Sequence, residues 1–171
     1  RAEVRLQDEI VNQSPRPQPW MLLYHINVGY PFLSEHLRLT LPLGTQTMPA
    51  NNAAATHLSE HAVFAPPQPD FAEQDFHHTV PSVEGVCTVR AENPVLGIGF
   101  RLCWRADTLP LLVQWRCLRS GDYVLGLEPA NNRVNGRLAA QAEGNLPVLR
   151  PFETVTTEVT LSFYPLAPEP L

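Results

Sequence analysis

The stretch Met21-Leu22-Leu23-Tyr24-His25-Ile26-Asn27-Val28-Gly29-Tyr30-Pro31-Phe32-Leu33 carries a histidine, and an asparagine two residues later, inside what otherwise reads as a buried strand. Period-two alternation puts Leu22, Tyr24, Ile26, Val28 and Tyr30 on one face, where they look like core. Met21, Leu23, His25, Asn27 and Gly29 share the other face, which becomes polar as the strand proceeds. A ligand cleft has a use for an imidazole there; a core has none, unless the ring is bonded to a backbone carbonyl. A second candidate is Glu128, at the end of the apolar run Tyr123-Val124-Leu125-Gly126-Leu127. A carboxylate in that place is seldom buried without a partner. Gly126, two residues earlier, leaves open space for a ligand to approach. Pro129 is expected to end the strand and set where Glu128 points. The plain alternative for Glu128 is a surface residue.

Two histidine clusters compete for attention. His57-Leu58-Ser59-Glu60-His61 fits H-x-x-E-H, a pattern that in some metalloproteases sets two zinc ligands and a base on one helix. The surrounding segment is short, alanine-rich and closed by a proline loop, so a solvated helix face is the preferred reading and no metal site is assigned. In Asp75-Phe76-His77-His78 the two histidines point to opposite faces of a strand, so at most one can look into a cleft.

The elements that must position these groups are short strands. Prolines number 18 in 171 residues, well above the usual share of about 5%, and they fall throughout the chain, which argues against long helices. Strands are expected at roughly 1–12, 19–30, 37–43, 75–80, 83–92, 96–105, 110–118, 122–128 and 153–164, separated by turn chemistry such as Arg119-Ser120-Gly121-Asp122. One helix is expected over about 51–63, capped by asparagine and stopped by Pro66-Pro67, and 165–171 reads as a frayed tail. The class is therefore all-β, an antiparallel sandwich or barrel, in a single domain spanning 1–171. Arg1 stands inside an alternating pattern, which marks the sequence as a candidate C-terminal part of a longer chain.

Charge and cysteine usage narrow the function classes. The net charge is −5 and all 12 basic residues are arginines scattered along the chain, which argues against nucleic acid and against an anionic membrane surface. Cys87, Cys103 and Cys117 are odd in number and widely spaced, like the reduced thiols of a cytoplasmic protein. No apolar run approaches the length of a membrane span.

Two segments, Met21–Leu33 and Gly121-Asp122-Tyr123-Val124-Leu125-Gly126-Leu127-Glu128-Pro129-Ala130-Asn131-Asn132, in this order, resemble the marks of the galactose mutarotase-like superfamily, closest to its bacterial aldose 1-epimerase-like branch. The resemblance covers about residues 8–163, with Tyr24 standing where the family motif has asparagine. It implies an antiparallel supersandwich, of which this chain would be the C-terminal part, and interconversion of the anomers of a free sugar or sugar derivative. His25 would be the general acid and Glu128 the general base; Asp75 or His77 would bind substrate. Imidazole, with a reference pKa of about 6.5, and an ionised carboxylate suit that work near neutral pH. No metal or nucleotide cofactor is required. Asn27, Gln74 and Asn131 are the candidates to bond sugar hydroxyls, and Trp20, Tyr30 or Trp115 to form a flat wall. His25 and Glu128 should converge across a pyranose, roughly 5–9 Å apart by analogy with carboxylate pairs that flank a sugar. The alternative is a sugar-binding module without catalysis. Besides a small carbohydrate, the expected partner is a second copy, joined through an open sheet edge.

Overall fold

The computed structural model describes residues 2–167. In chain order its strands are β1 (Ala2–Val11), β2 (Gln18–Pro19), β3 (Ile26–Gly29), β4 (Arg38–Thr40), β5 (Gln46–Pro49), β6 (Gln74–Thr79), β7 (Val86–Asn93), β8 (Ile98–Arg105), β9 (Leu111–Arg119), β10 (Asp122–Ala130), β11 (Val148–Leu149) and β12 (Thr154–Pro165). Two short helices, α1 (Asn52–Thr56) and α2 (Arg137–Ala142), interrupt them. The tail expected over 165–171 lies outside the described residues from position 168 onward.

Two five-stranded antiparallel sheets form a sandwich, ordered β1-β12-β8-β7-β4 and β3-β10-β9-β6-β5, and β2 pairs with β11 beside them. Alternation does the sorting. Val89, Ala91, Phe100, Leu102, Trp104 and Val159 of the first sheet meet Leu112, Leu118, Leu125 and Leu127 of the second in one buried core. Each such large side chain contributes about 1.5–3 kcal/mol when fully buried. The residues between them on β9 and β10, among them Val113, Trp115, Gly126 and Glu128, project from the opposite face of the second sheet. That outer face carries the candidate site.

Most expected strands form, and the departures have local causes. The strand expected over 19–30 survives only at its two ends, as β2 and β3. Leu22, Tyr24, Ile26 and Val28 do pack against the core, whereas Tyr30 is 81% exposed. β10 runs through Pro129 to Ala130 instead of stopping, because the Pro129 carbonyl still accepts the Tyr24 N–H at 3.0 Å. Proline has no N–H to return, so the ladder is one-sided there. Asn51 caps α1 as expected, its side chain accepting the Ala54 N–H at 2.8 Å. The helix nevertheless ends at Thr56, followed by a 3-10 turn at Leu58–Glu60. Side chains of β9 claim the next carbonyls: Gln114 Nε2 donates to His61 O at 2.6 Å and Arg116 Nη1 to Glu60 O at 2.7 Å.

β1 lies at a sheet edge, paired with β12 from Ala2↔Phe163 to Val11↔Thr154, and its residues from Ala2 to Glu9 are all exposed. Among the described residues no helix is long and apolar enough to cross a membrane.

Candidate functional site

β10 lies between β3 and β9, and its register fixes the site. Leu127 pairs with Ile26, and the Leu23↔Ala130 bridge keeps the same register across the irregular residues between. His25 is thereby set opposite Glu128, both projecting from the outer face. The row beside them runs Asn27, Gly126, Trp115, Asp75 across β3, β10, β9 and β6. His77 belongs to the Glu128 row, through Val113.

His25 and Glu128 touch. Nε2 of His25 lies 3.0 Å from Oε1 of Glu128, with the imidazole 47% exposed and the carboxylate almost wholly covered. The ring-wide gap of 5–9 Å expected for this pair is closed. The contact is near but not aligned, for Oε1 is buried and has no hydrogen-bond partner of proper geometry. The reason for the closeness is Gly126. A Cβ built there would sit 2.3 Å from Glu128 Oε1, so the carboxylate occupies the space that a side chain at 126 would fill. The opening expected at Gly126 for a ligand is taken by the protein's own carboxyl group.

The electrostatics follow from that burial. Loss of water, and then the nearby Asp75 carboxylate, push the Glu128 carboxyl up to about 7. Asp75 is itself raised, first by burial and further by Glu73; Asn51 Nδ2, donating to its Oδ2 at 2.8 Å, works the other way. Trp115 stands edge-on to His25, ring centroids 5.6 Å apart at 74°, and its Nε1 donates to Glu73 Oε2 at 3.2 Å. Of the three aromatic residues offered as a wall, Trp115 is the one in ring contact with His25. His77 is buried and its Nε2 has no hydrogen-bond partner; burial first, then the charge of Arg133, lowers its pKa. A neutral imidazole at His77 can still donate or accept one proton.

Two of the proposed sugar-binding residues stand elsewhere. Gln74 is on the inner face, one residue out of phase with Asp75, where its Oε1 accepts from both Nε (3.0 Å) and Nη2 of Arg116. Arg116 in turn holds Glu60 O and Val63 O, so this amide serves the packing of the 57–63 segment. Asn131 accepts the Leu22 N–H at 2.8 Å and donates to Trp20 O at 3.4 Å, anchoring the chain that leads to His25. His57 and His61 do not share a helix face: His57 Nδ1 pairs with Glu60 Oε2 at 3.1 Å, while His61 turns inward against Phe76 and His78. Asn51 and Glu73 also reach the site, through Asp75 and Trp115. Their signal in the sequence is slight, a helix cap and a loop acid, and only the tertiary fold brings them to Asp75 and Trp115.

Known folds match this arrangement of strands. A candidate aldose 1-epimerase from Klebsiella pneumoniae superposes with a TM-score of 0.88 at 22% identity, over 94% of this chain and 42% of that one. The Slr1438 protein of Synechocystis gives 0.65 at 17% identity, over 94% and 50%. A galactose mutarotase-like protein from Clostridium acetobutylicum gives 0.63 at 16% identity, over 95% and 52%. These likenesses show a shared fold, and the chain spans about half or less of each. No curated protein matches the sequence. The family model described as Domain of unknown function (DUF4432) matches residues 1–163, and the chain belongs to that family.

Proposed function

We propose that the protein interconverts the α and β anomers of a free aldose or a sugar derivative, with Glu128 as general base and His25 as general acid. One observation carries this reading: a half-exposed imidazole nitrogen 3.0 Å from a buried carboxylate whose pKa is pushed up to about 7. A base poised near the working pH holds a useful ionised fraction and still takes up a proton readily. In its ionised form Glu128 would take the proton of the anomeric hydroxyl, while the His25 ring gives a proton to the ring oxygen. The bond from C1 to that oxygen breaks, leaving an aldehyde. Rotation about C1–C2 and the reverse proton transfers close the ring as the other anomer and restore both residues. The step needs neither cofactor nor redox partner. Asp75 and Asn27, in the row next to the pair, and the buried His77 would be the groups to meet sugar hydroxyls. We place this chemistry in the cytoplasm because Cys87, Cys103 and Cys117 are all free thiols.

A second reading, sugar binding without catalysis, is favoured by the 3% exposure of Glu128. The carboxylate meets a sugar only if His25 turns aside. Proton exchange spectroscopy on pure anomers separates the two readings. Exchange between the α and β signals that speeds up with protein concentration supports catalysis; saturable binding with unchanged exchange rejects it and leaves a binding module.

A further inference from the structure

We infer that Gly126 is a positioning residue for Glu128: the missing side chain at 126 is what allows the carboxylate to fold back along β10 and lie beneath His25. The inference rests on the proposed acid–base function for its consequence in rate, but its geometry stands alone. Residues 126 and 128 share a face of β10, and side chains two apart on a strand ordinarily stand side by side, perpendicular to the sheet. Here the Glu128 side chain leans over its neighbour. An added Cβ at Gly126 would come within 2.3 Å of Oε1 and 3.2 Å of Cδ of Glu128, and 3.3 Å of the Trp115 Cβ. To restore ordinary contact the carboxylate oxygen must retreat by about 1 Å. It is the free end of a flexible side chain, so it can retreat while the strand stays in place.

The backbone itself does not demand glycine at this position. Gly44, Gly85, Gly97, Gly121, Gly136 and Gly144 have positive φ, and Gly126 does not. A glycine inside a strand weakens it through chain entropy and lost packing. One placed in a central strand, with no conformational need, between Trp115 and Asn27, serves the space above it. That space holds the carboxylate against His25 from the segment before β3. The other titratable groups on this face are Asp75 and His77 of β6 with Glu73 just before them, Cys117 and Arg119 of β9, and Asp122 at the far end of β10. Arg119 pairs there with both Asp122 and Glu73.

The test compares Gly126→Ala with Gly29→Ala, a control in the same sheet whose Cβ would meet only Tyr123 O at 3.6 Å. Two readouts are taken on the purified protein: the Glu128 titration by carbon NMR of the carboxyl group, and the rate of anomer exchange. For Gly126→Ala the titration midpoint should fall from about 7 toward the ordinary value of 4.5. Its kcat should fall about a hundredfold, the scale of a 1 Å misplacement, with KM little changed. Adding Gly126→Ala to Glu128→Gln should cost no further rate, because both act through one carboxylate. Gly29→Ala should leave both readouts as in the unaltered protein. An unmoved Glu128 midpoint in folded Gly126→Ala overturns the inference. If the unaltered protein shows no anomer exchange, the functional reading fails and the titration alone decides on Gly126. If Gly126→Ala does not fold, Glu128→Ala is added: recovery of folding identifies the carboxylate as the clashing group, and no recovery overturns the inference.

Discussion

Asn131 Oδ1 accepts the Leu22 N–H at 2.8 Å, and the Leu22 carbonyl accepts the Asn131 N–H at 3.0 Å. This reciprocal pair ties the end of β10 to the chain three residues before His25, so the same strand that presents Glu128 also fixes the approach of its partner. Asn131→Ala would leave a partly buried N–H without its acceptor. It should cost about 1–3 kcal/mol of stability, measured by denaturant unfolding, and should lower the rate of anomer exchange through His25. Unchanged stability would show that water replaces the amide.

The acid–base pair gives the most direct expectation. Glu128→Gln should slow anomer exchange about 10²-fold or more, the scale of a lost general base, and His25→Asn should do comparable damage with folding retained. In the unaltered protein the rate should rise with pH toward about 7, as Glu128 ionises, and the need for a protonated general acid should turn the profile over at higher pH. A flat profile between pH 5 and 8 would contradict the assignment of Glu128 as base.

The same carboxyl group bears on stability with a definite sign. Its pKa is about 7 in the folded protein against an ordinary value of 4.5. Between those values the folded state holds a proton that the unfolded state has released, so this contribution is full below about pH 4.5 and is lost as pH rises through 7. Glu128→Gln removes the penalty. We expect it to be more stable than the unaltered protein at pH 8 by about 1–2 kcal/mol, the shift discounted for water reaching the exposed side of His25. The difference should shrink toward pH 4.5, which thermal unfolding at both pH values would check.

β1 offers its free backbone edge together with the exposed side chains of Val4 and Leu6, 50% and 39% accessible. Long exposed edges template further pairing, and we expect this chain to self-associate through β1. Sedimentation over a range of concentrations should show a dimer that Leu6→Lys weakens. A monomer that persists at high concentration would argue against it.

Much of this arrangement was legible in the sequence, and the parts that were not share a cause. Alternation alone separated His25 and Asn27 from Leu22, Tyr24, Ile26 and Val28. The same rule extended to Gln74 corrects the expectation that it binds sugar: Gln74 and Asp75 are adjacent on β6, so one strand cannot turn both toward a single site. β5, four residues ending in proline, and α2, six residues and so less than two turns, are too short for a pattern to emerge. The role of Gly126 was hidden differently. A strand glycine admits either an approaching ligand or a neighbouring side chain, and the pattern of residues is identical in both cases.

Pro129 has a consequence for motion. Having no N–H, it leaves the Tyr24 carbonyl without a ladder partner on the β10 side, immediately before His25. Opening the backbone at this point costs the Tyr24 N–H bond to Pro129 O but not the return bond that a regular strand would also have to sacrifice. Glu128 is laddered on its other side, opposite Val113 of β9. The two halves of the pair therefore differ in backbone pairing: the carboxylate stands on a strand laddered to β9, and the imidazole follows a residue held to β10 by a single bond.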